Sequence, residues 1–169
     1  MKKSFAGEYV EYLSDLGFES VIDRFEHATG SVEEGGFRKI AVQANGLDDF
    51  ERLIREQEKT SGFMRFLTVD HGAWMKDFEG GTTQSKMYTI GNPLIARTML
   101  RHEMAAGLNV PVRVHIFEDA EKKVHFGYHV PSSLMQVYGN TEVMKSCEVL
   151  DAKLERLALA VTTGPTAVA

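Results

Sequence analysis

Asp70 and His71 are neighbours in the chain, and a carboxylate beside an imidazole is the pairing from which a general base is made. The acid can hold one tautomer, and the ring titrates near neutral pH. The same Asp70 is equally suited to cap a helix that starts at residue 71. No serine or cysteine has a sequence relation to the pair that marks a nucleophile, so its catalytic use would be as a base. The turn Gly91-Asn92-Pro93 is a second candidate. The free N–H groups at a helix start can hold a phosphate or carboxylate, but Pro93 deletes one donor and the Asn92 side chain occupies another. With no P-loop lysine and no Gly-x-Gly-x-x-Gly, the tripeptide reads first as a strand-to-helix cap. Trp74, grouped with Met75 and Phe78 beside Gly80-Gly81, offers a pocket wall or lid. His102 stands one helical step beyond Ile95 and Met99, at the edge of a core. Trp74, Gly91, Asn92 and His102 are therefore the candidate ligand-binding residues.

Three further histidines raise the question of a metal ion or a haem. Val112, Val114 and Ile116 alternate with Arg113, His115 and Phe117, and the alternation resumes after residues 118–123 as Val124, Phe126 and Tyr128 against His125, Gly127 and His129. If the apolar sets share a face, the histidines share the other. Phe117 would then oppose His125, and His115 would lie diagonal to His125 and His129, about 7–8 Å away between β-carbons. That is within reach of a shared ion, although Arg113 beside them disfavours a cation. Cys147 lies on an apolar stripe and reads as a buried, inert thiol. As the lone cysteine it excludes an intrachain disulfide and any Cys-x-x-Cys motif.

The elements that must position these residues follow from periodicity. Phe5, Tyr9, Tyr12, Leu13 and Leu16, then Val21, Ile22 and Phe25, recur at helical spacing, which predicts a helical appendage over residues 1–34. A single α+β domain is expected over 35–162. It opens with a strand over 37–44, rich in β-branched residues, and a helix over 47–60 with Asp48 and Asp49 at the positive end of its dipole. A strand over 63–69, a short helix over 71–78 and a strand over 86–90 come next, then a helix from Pro93 to Ala106. The hairpin of 112–130 is followed by a short helix over 131–138. The last element is a long helix from Thr141, on which Val143, Cys147, Leu150, Leu154, Leu157 and Val161 step by four and three. Residues 163–169 are expected to be a flexible tail. This order predicts an α+β two-layer sandwich, a mainly antiparallel sheet with helices packed on one face.

Composition narrows the partners. In 169 residues, 43% are hydrophobic and 25% charged, the balance of an ordinary globular chain. The net charge of −5 is spread out with no basic run, which argues against nucleic acid. No apolar run approaches the roughly 20 residues that span a bilayer, and Glu8, Glu11 and Asp15 interrupt any signal core, so the expected address is the cytoplasm and no membrane partner is expected.

Gly91-Asn92-Pro93, residues 109–119 (Asn-Val-Pro-Val-Arg-Val-His-Ile-Phe-Glu-Asp), and Pro131 with Gly139-Asn140 before the last helix carry a resemblance. From about residue 37 to 161 the chain resembles the domain of unknown function 302 family, and Asp70-His71 matches a variant of it. The resemblance implies a two-layer α+β fold and a dimer, with no activity attached. Residues 1–34 lie outside it. The expectation for function is a homodimeric module that binds a small molecule or a protein in a groove near Asp70-His71 and Gly91-Asn92-Pro93. The alternatives are an enzyme with Asp70-His71 as general base and a metal- or haem-binding protein using His115, His125 and His129. No cofactor is indicated by the residues themselves.

Overall fold

The computed structural model describes residues 2–163. Six strands form one sheet, in the spatial order β1-β6-β5-β4-β3-β2: β1 (Tyr9–Ser14), β2 (Gly30–Ser31), β3 (Met64–Asp70), β4 (Ser85–Gly91), β5 (Val112–Glu118) and β6 (Val124–His129). All neighbours pair antiparallel except the short β2, which runs parallel to β3. Among the described residues seven α-helices accompany them: α1 (Phe18–Ala28), α2 (Gly36–Gln43), α3 (Leu47–Gln57), α4 (His71–Glu79), α5 (Pro93–Leu100), α6 (Pro131–Met135) and α7 (Thr141–Thr162).

The expected two-layer α+β plan is what the chain builds. Tyr88, Ile90, Val112, Val114, Ile116, Val124, Phe126 and Tyr128 point from the sheet into one core, where they meet Phe18, Val21, Ile22 and Phe25 of α1, Met99 of α5 and the stripe Val143, Cys147, Leu150, Leu154, Leu157 and Val161 of α7. The hairpin register is the expected one: Phe117 opposes His125, and His115 opposes Gly127. Because side chains alternate across a strand, Arg113, His115, Phe117, His125 and His129 then occupy the face without this helical layer. Asn140 starts α7 by accepting from the N–H groups of Glu142 and Val143.

Three element expectations are corrected. Residues 9–14 form not a helix but β1, which pairs with β6 from Tyr9 opposite His129 to Ser14 opposite Val124. Val10 and Tyr12 lean on the core and Ser14 is buried. The apolar residues of this segment fit both periods, and the unpaired N–H and C=O groups of β6 decide for the strand. The segment read as an appendage thus supplies an edge strand and, through α1, Phe18, Val21, Ile22 and Phe25 of the core. Residues 37–44 form a helix rather than a strand. Phe37 and Ile40 lie one turn apart and both face a second cluster with Val32, Ile54, Met64, Phe50 and Phe66, while Val42 is exposed. The free edge of β3 is taken by Gly30–Ser31 instead. The helix from Pro93 stops at Leu100 and a 3-10 turn, Met104–Leu108, follows, its Ala105 N–H capped by the Glu103 side chain. The tail expectation concerns residues outside the described ones from 164 onward.

Candidate functional site

Asp70 ends β3 and caps α4: its Oδ1 accepts from the Ala73 N–H at 2.8 Å, and its Oδ2 lies 3.9 Å from Lys86 Nζ. No hydrogen bond joins it to His71. The Trp74 indole N–H donates instead to His71 Nδ1 at 3.2 Å. A neutral ring that accepts at Nδ1 carries its proton on Nε2, so the lone pair a general base would use is already engaged. Trp74 is half exposed and Phe78 almost wholly so, and neither lines the cavity at the start of α4 or the one at Gly91. Around the start of α4 lies a polar cavity of about 540 Å³ lined by Asp70, Lys76, Thr83 and Lys86.

The histidines of the helix-free face stand in a stacked row. His71 meets His115 edge-on at 6.3 Å, His115 stacks on Phe117 at 4.7 Å, and Phe117 stacks on His125 at 5.1 Å. Phe117 therefore separates the two rings expected to share an ion. His115 Nε2 is 2.8 Å from Ser85 Oγ, and burial together with the nearby His71 holds its pKa below the ordinary value. His125 is clamped between Asp119 Oδ2 at 2.9 Å and Glu11 Oε1 at 2.7 Å. The approach to Glu11 is short but badly aligned, leaving His125 Nδ1 buried without a well-directed bond. Burial opposes charging of this ring, yet the two carboxylates outweigh it and raise its pKa. His129 packs against Tyr9 at 5.6 Å, and the Tyr9 hydroxyl, which donates to Glu11, sits where a side chain on Gly127 would be. Among the described residues no group of three or more His, Cys, Asp or Glu is placed to hold a metal ion. The shared site expected of His115, His125 and His129 is not assembled.

Gly91-Asn92-Pro93 lies at the other end of β4. Asp70 pairs with Lys86 and Met64 with Gly91, so five residues of strand, roughly 17 Å, separate Gly91 from the Asp70 end. Asp70 and Gly91 thus line two different cavities rather than one groove. At the turn, Asn92 Oδ1 accepts from the Leu94 N–H at 2.8 Å, and its amide donates to Glu58 Oε1 at 2.7 Å and to the Gly62 carbonyl at 2.9 Å. The cap reading is met: the Asn92 side chain takes the Leu94 N–H, and Pro93 has none to give. A Cβ on Gly91 would stand 3.2 Å from Pro111 Cβ and 3.5 Å from Phe66. Glycine lets those two rings close in and form a floor.

That floor belongs to an apolar cavity of about 570 Å³, walled by Phe37 of α2, Phe50 of α3, Phe66 of β3, Ile95 and Leu100 of α5 and Met104. The volume is mid-range for sites that take small molecules, roughly 300–1,000 Å³. Gly91, Asn92 and Pro93 all line it, as do Arg97 and Arg101. Arg97 is paired with Glu51 at 3.1 Å. Arg101 is exposed, donates through Nε to His102 Nε2 at 3.1 Å, and has no carboxylate within 4.0 Å among the described residues. His102 lies on the neighbouring polar cleft of about 470 Å³ between α3, α5 and α7, together with Arg101 and Asn92.

Sequence reasoning missed Phe37, Phe50, Phe66, Arg101 and Met104. Phe37 falls in the strand expected over 37–44, and Arg101 and Met104 in the helix expected from Pro93 to Ala106, which ends before them. The signal available was Phe37 with Ile40 at helical spacing, and Glu103 as a capping residue that starts a new turn.

A family model described as Domain of unknown function DUF302 matches residues 38–161. The chain belongs to the DUF302 family. Its fold is similar to the crystal structure of an uncharacterized conserved DUF302 protein from Bacillus stearothermophilus, with a TM-score of 0.63 at 14% identity over 90% of this chain and 97% of that one. A 90% share is more than residues 38–169 could supply, so the likeness to this DUF302 relative reaches into the first 37 residues, where β1 and α1 lie. By sequence the chain is similar to two proteins named fluoride-specific ion channel FluC 1. The one from Brucella suis biovar 1 is 25% identical over 79% of this chain and 53% of that protein. The one from Brucella abortus biovar 1 is also 25% identical, over 79% of this chain and 50% of that protein. The chain thus spans about half the length of the curated relatives it matches. No helix among the described residues is long and apolar enough to cross a membrane.

Proposed function

We propose that this DUF302 chain is a homodimeric binding module whose ligand is a small molecule held in the apolar cavity at Gly91-Asn92-Pro93. The observation that carries this reading is the cavity itself. Phe37, Phe50, Phe66, Ile95 and Leu100 surround about 570 Å³ at the end of the sheet, and the cap residues on its edge have spent their polar groups within the fold. Sites of this kind are mostly apolar with a few convergent polar groups. A binding role is favoured over a base-catalysed reaction because Asp70 is occupied as a cap and the His71 lone pair by Trp74. An ion channel must cross a membrane, whereas this chain has no described helix fit for it. In this reading the fluoride-channel activity of the Brucella relatives resides in the half that this chain does not match.

The neutral fluorescent probe N-phenyl-1-naphthylamine tests the cavity. Ala96 lines it, and Ala96→Trp places an indole in that space. The wild-type protein is expected to bind the probe at micromolar concentration and Ala96→Trp to weaken binding at least tenfold while keeping the wild-type circular dichroism spectrum. Equal binding by the two proteins would refute the site.

A further inference from the structure

We propose that the ligand of this cavity is a monoanionic amphiphile, a single apolar tail of roughly eight to twelve carbons ending in a carboxylate, with Arg101 receiving the head group. The inference rests on the cavity reading above and adds the chemical class of the occupant. Its first support is charge. The cavity wall is aromatic and aliphatic except for Asn92, Arg97 and Arg101; the Asn92 side chain is spent on Leu94, Glu58 and Gly62, and Arg97 is already neutralised by Glu51. Arg101 uses only its Nε, toward His102. Its remaining guanidinium N–H groups are the ones that grip a carboxylate in parallel pairs. Glu142, which lines the neighbouring cleft with Arg101, is itself bonded to Lys145 at 2.7 Å. One guanidinium thus stands at the mouth of an apolar chamber without a carboxylate against it among the described residues.

The second support is shape. At about 30 Å³ for a water-sized group, a chamber of about 570 Å³ has room for about nineteen such groups, so a tail of eight to twelve carbons fits inside it with space left for its head group. Met104, 74% exposed at the mouth, and Leu100 extend the apolar path from the Phe66 floor toward Arg101. A flat aromatic acid would leave much of this depth unfilled. A nucleotide would place its phosphates beside a single free guanidinium and its ribose against phenylalanine rings, with unpaired hydroxyls.

Isothermal titration of the full chain with octanoate, decanoate and decanol, at pH 7.5 and below their micelle or solubility limits, tests this. Decanoate is expected to bind about tenfold or more tightly than decanol, and lengthening octanoate to decanoate to tighten binding about fourfold per methylene. Arg101→Gln, a surface change, is expected to bring decanoate down to the affinity of decanol without altering decanol, and Arg101→Lys to restore part of the difference. Equal binding of decanoate and decanol, with both lost in Ala96→Trp, would overturn the anionic head group while leaving the cavity reading standing. Binding of none of the three, with none of the naphthylamine probe, would overturn both. A fall in the mass of Ala96→Trp by light scattering, without any amphiphile binding to the wild type, would show that a second copy fills the groove and would likewise overturn the proposal.

Discussion

Both polar atoms of the Asn92 side chain have partners, and those partners lie on three different elements: the start of α5, Glu58 just past α3, and the loop before β3. The side chain is nearly buried. Removing it strands the Gly62 carbonyl and uncaps a helix that has already given up one donor to Pro93. Leaving buried groups unpaired costs about 1–3 kcal/mol, and loss of a cap about 1 kcal/mol. Asn92→Ala is therefore expected to lower stability by about 2–4 kcal/mol in urea unfolding, and Asn92→Asp by at least as much, since it keeps the Oδ1 bond but sets a carboxylate oxygen against Glu58 and the Gly62 carbonyl. A change below 0.5 kcal/mol in Asn92→Ala would show that the three bonds add nothing. The cap was legible from the tripeptide itself, because Asn and Pro have local preferences at a helix start. Its two distant partners were not, since nothing in a sequence announces that residues 58 and 62 come back to residue 92. Cys147 shows the same division. Its place on the stripe of α7 was readable, and burial in the fold pushes the thiol to about 12, consistent with inertness.

At the level of elements, β1 is joined to the sheet by more than its backbone ladder. His125 on β6 reaches Glu11 on β1 and Asp119 in the β5–β6 turn, so one ring ties the edge strand to the hairpin. Its pKa is raised in the folded state from the ordinary 6.5. A group whose pKa is higher folded than unfolded adds stability that is fully present below the unfolded value and is lost as pH rises through the folded one. His115 works the other way: its lowered pKa makes it cost stability as pH falls below 6.5. The clamp is therefore expected to weaken as pH rises from about 6.5 through the raised value. His125→Gln should remove that component, so that the difference in urea midpoint between wild type and variant shrinks from pH 6 to pH 9. A constant difference across that range would show that the carboxylates do not hold the imidazolium. The helices of α1 and α7 and the strands of the hairpin were readable because each buries one face and so writes a clean period. β1 and α2 were not, because six to eight residues with apolar groups on both periods fit either state, and an open sheet edge or its absence settles the matter.

For the whole molecule, the face of the sheet bearing the histidine row has no helical layer over it, and Tyr9, Leu13 and Leu67 on that side are each more than half exposed. In the dimer we propose, a second copy covers this face. Light scattering at micromolar concentration is expected to give twice the chain mass, and Leu13→Glu with Leu67→Glu to give a single chain mass with unchanged circular dichroism. A wild-type mass of one chain would contradict it. By itself the sequence determined the two-layer α+β class, the hairpin and its register, the capping turn and the family, because these rest on local preference and on periodicities that any fold must respect. Only the tertiary structure decided that residues 9–14 are a strand, that Asp70 and Gly91 lie at opposite ends of β4, and that three phenylalanines far apart in the chain enclose a cavity beside Arg101. Those facts depend on which edges and faces meet, and a meeting between distant segments is set by the free energy of the whole packed chain rather than by any stretch of it.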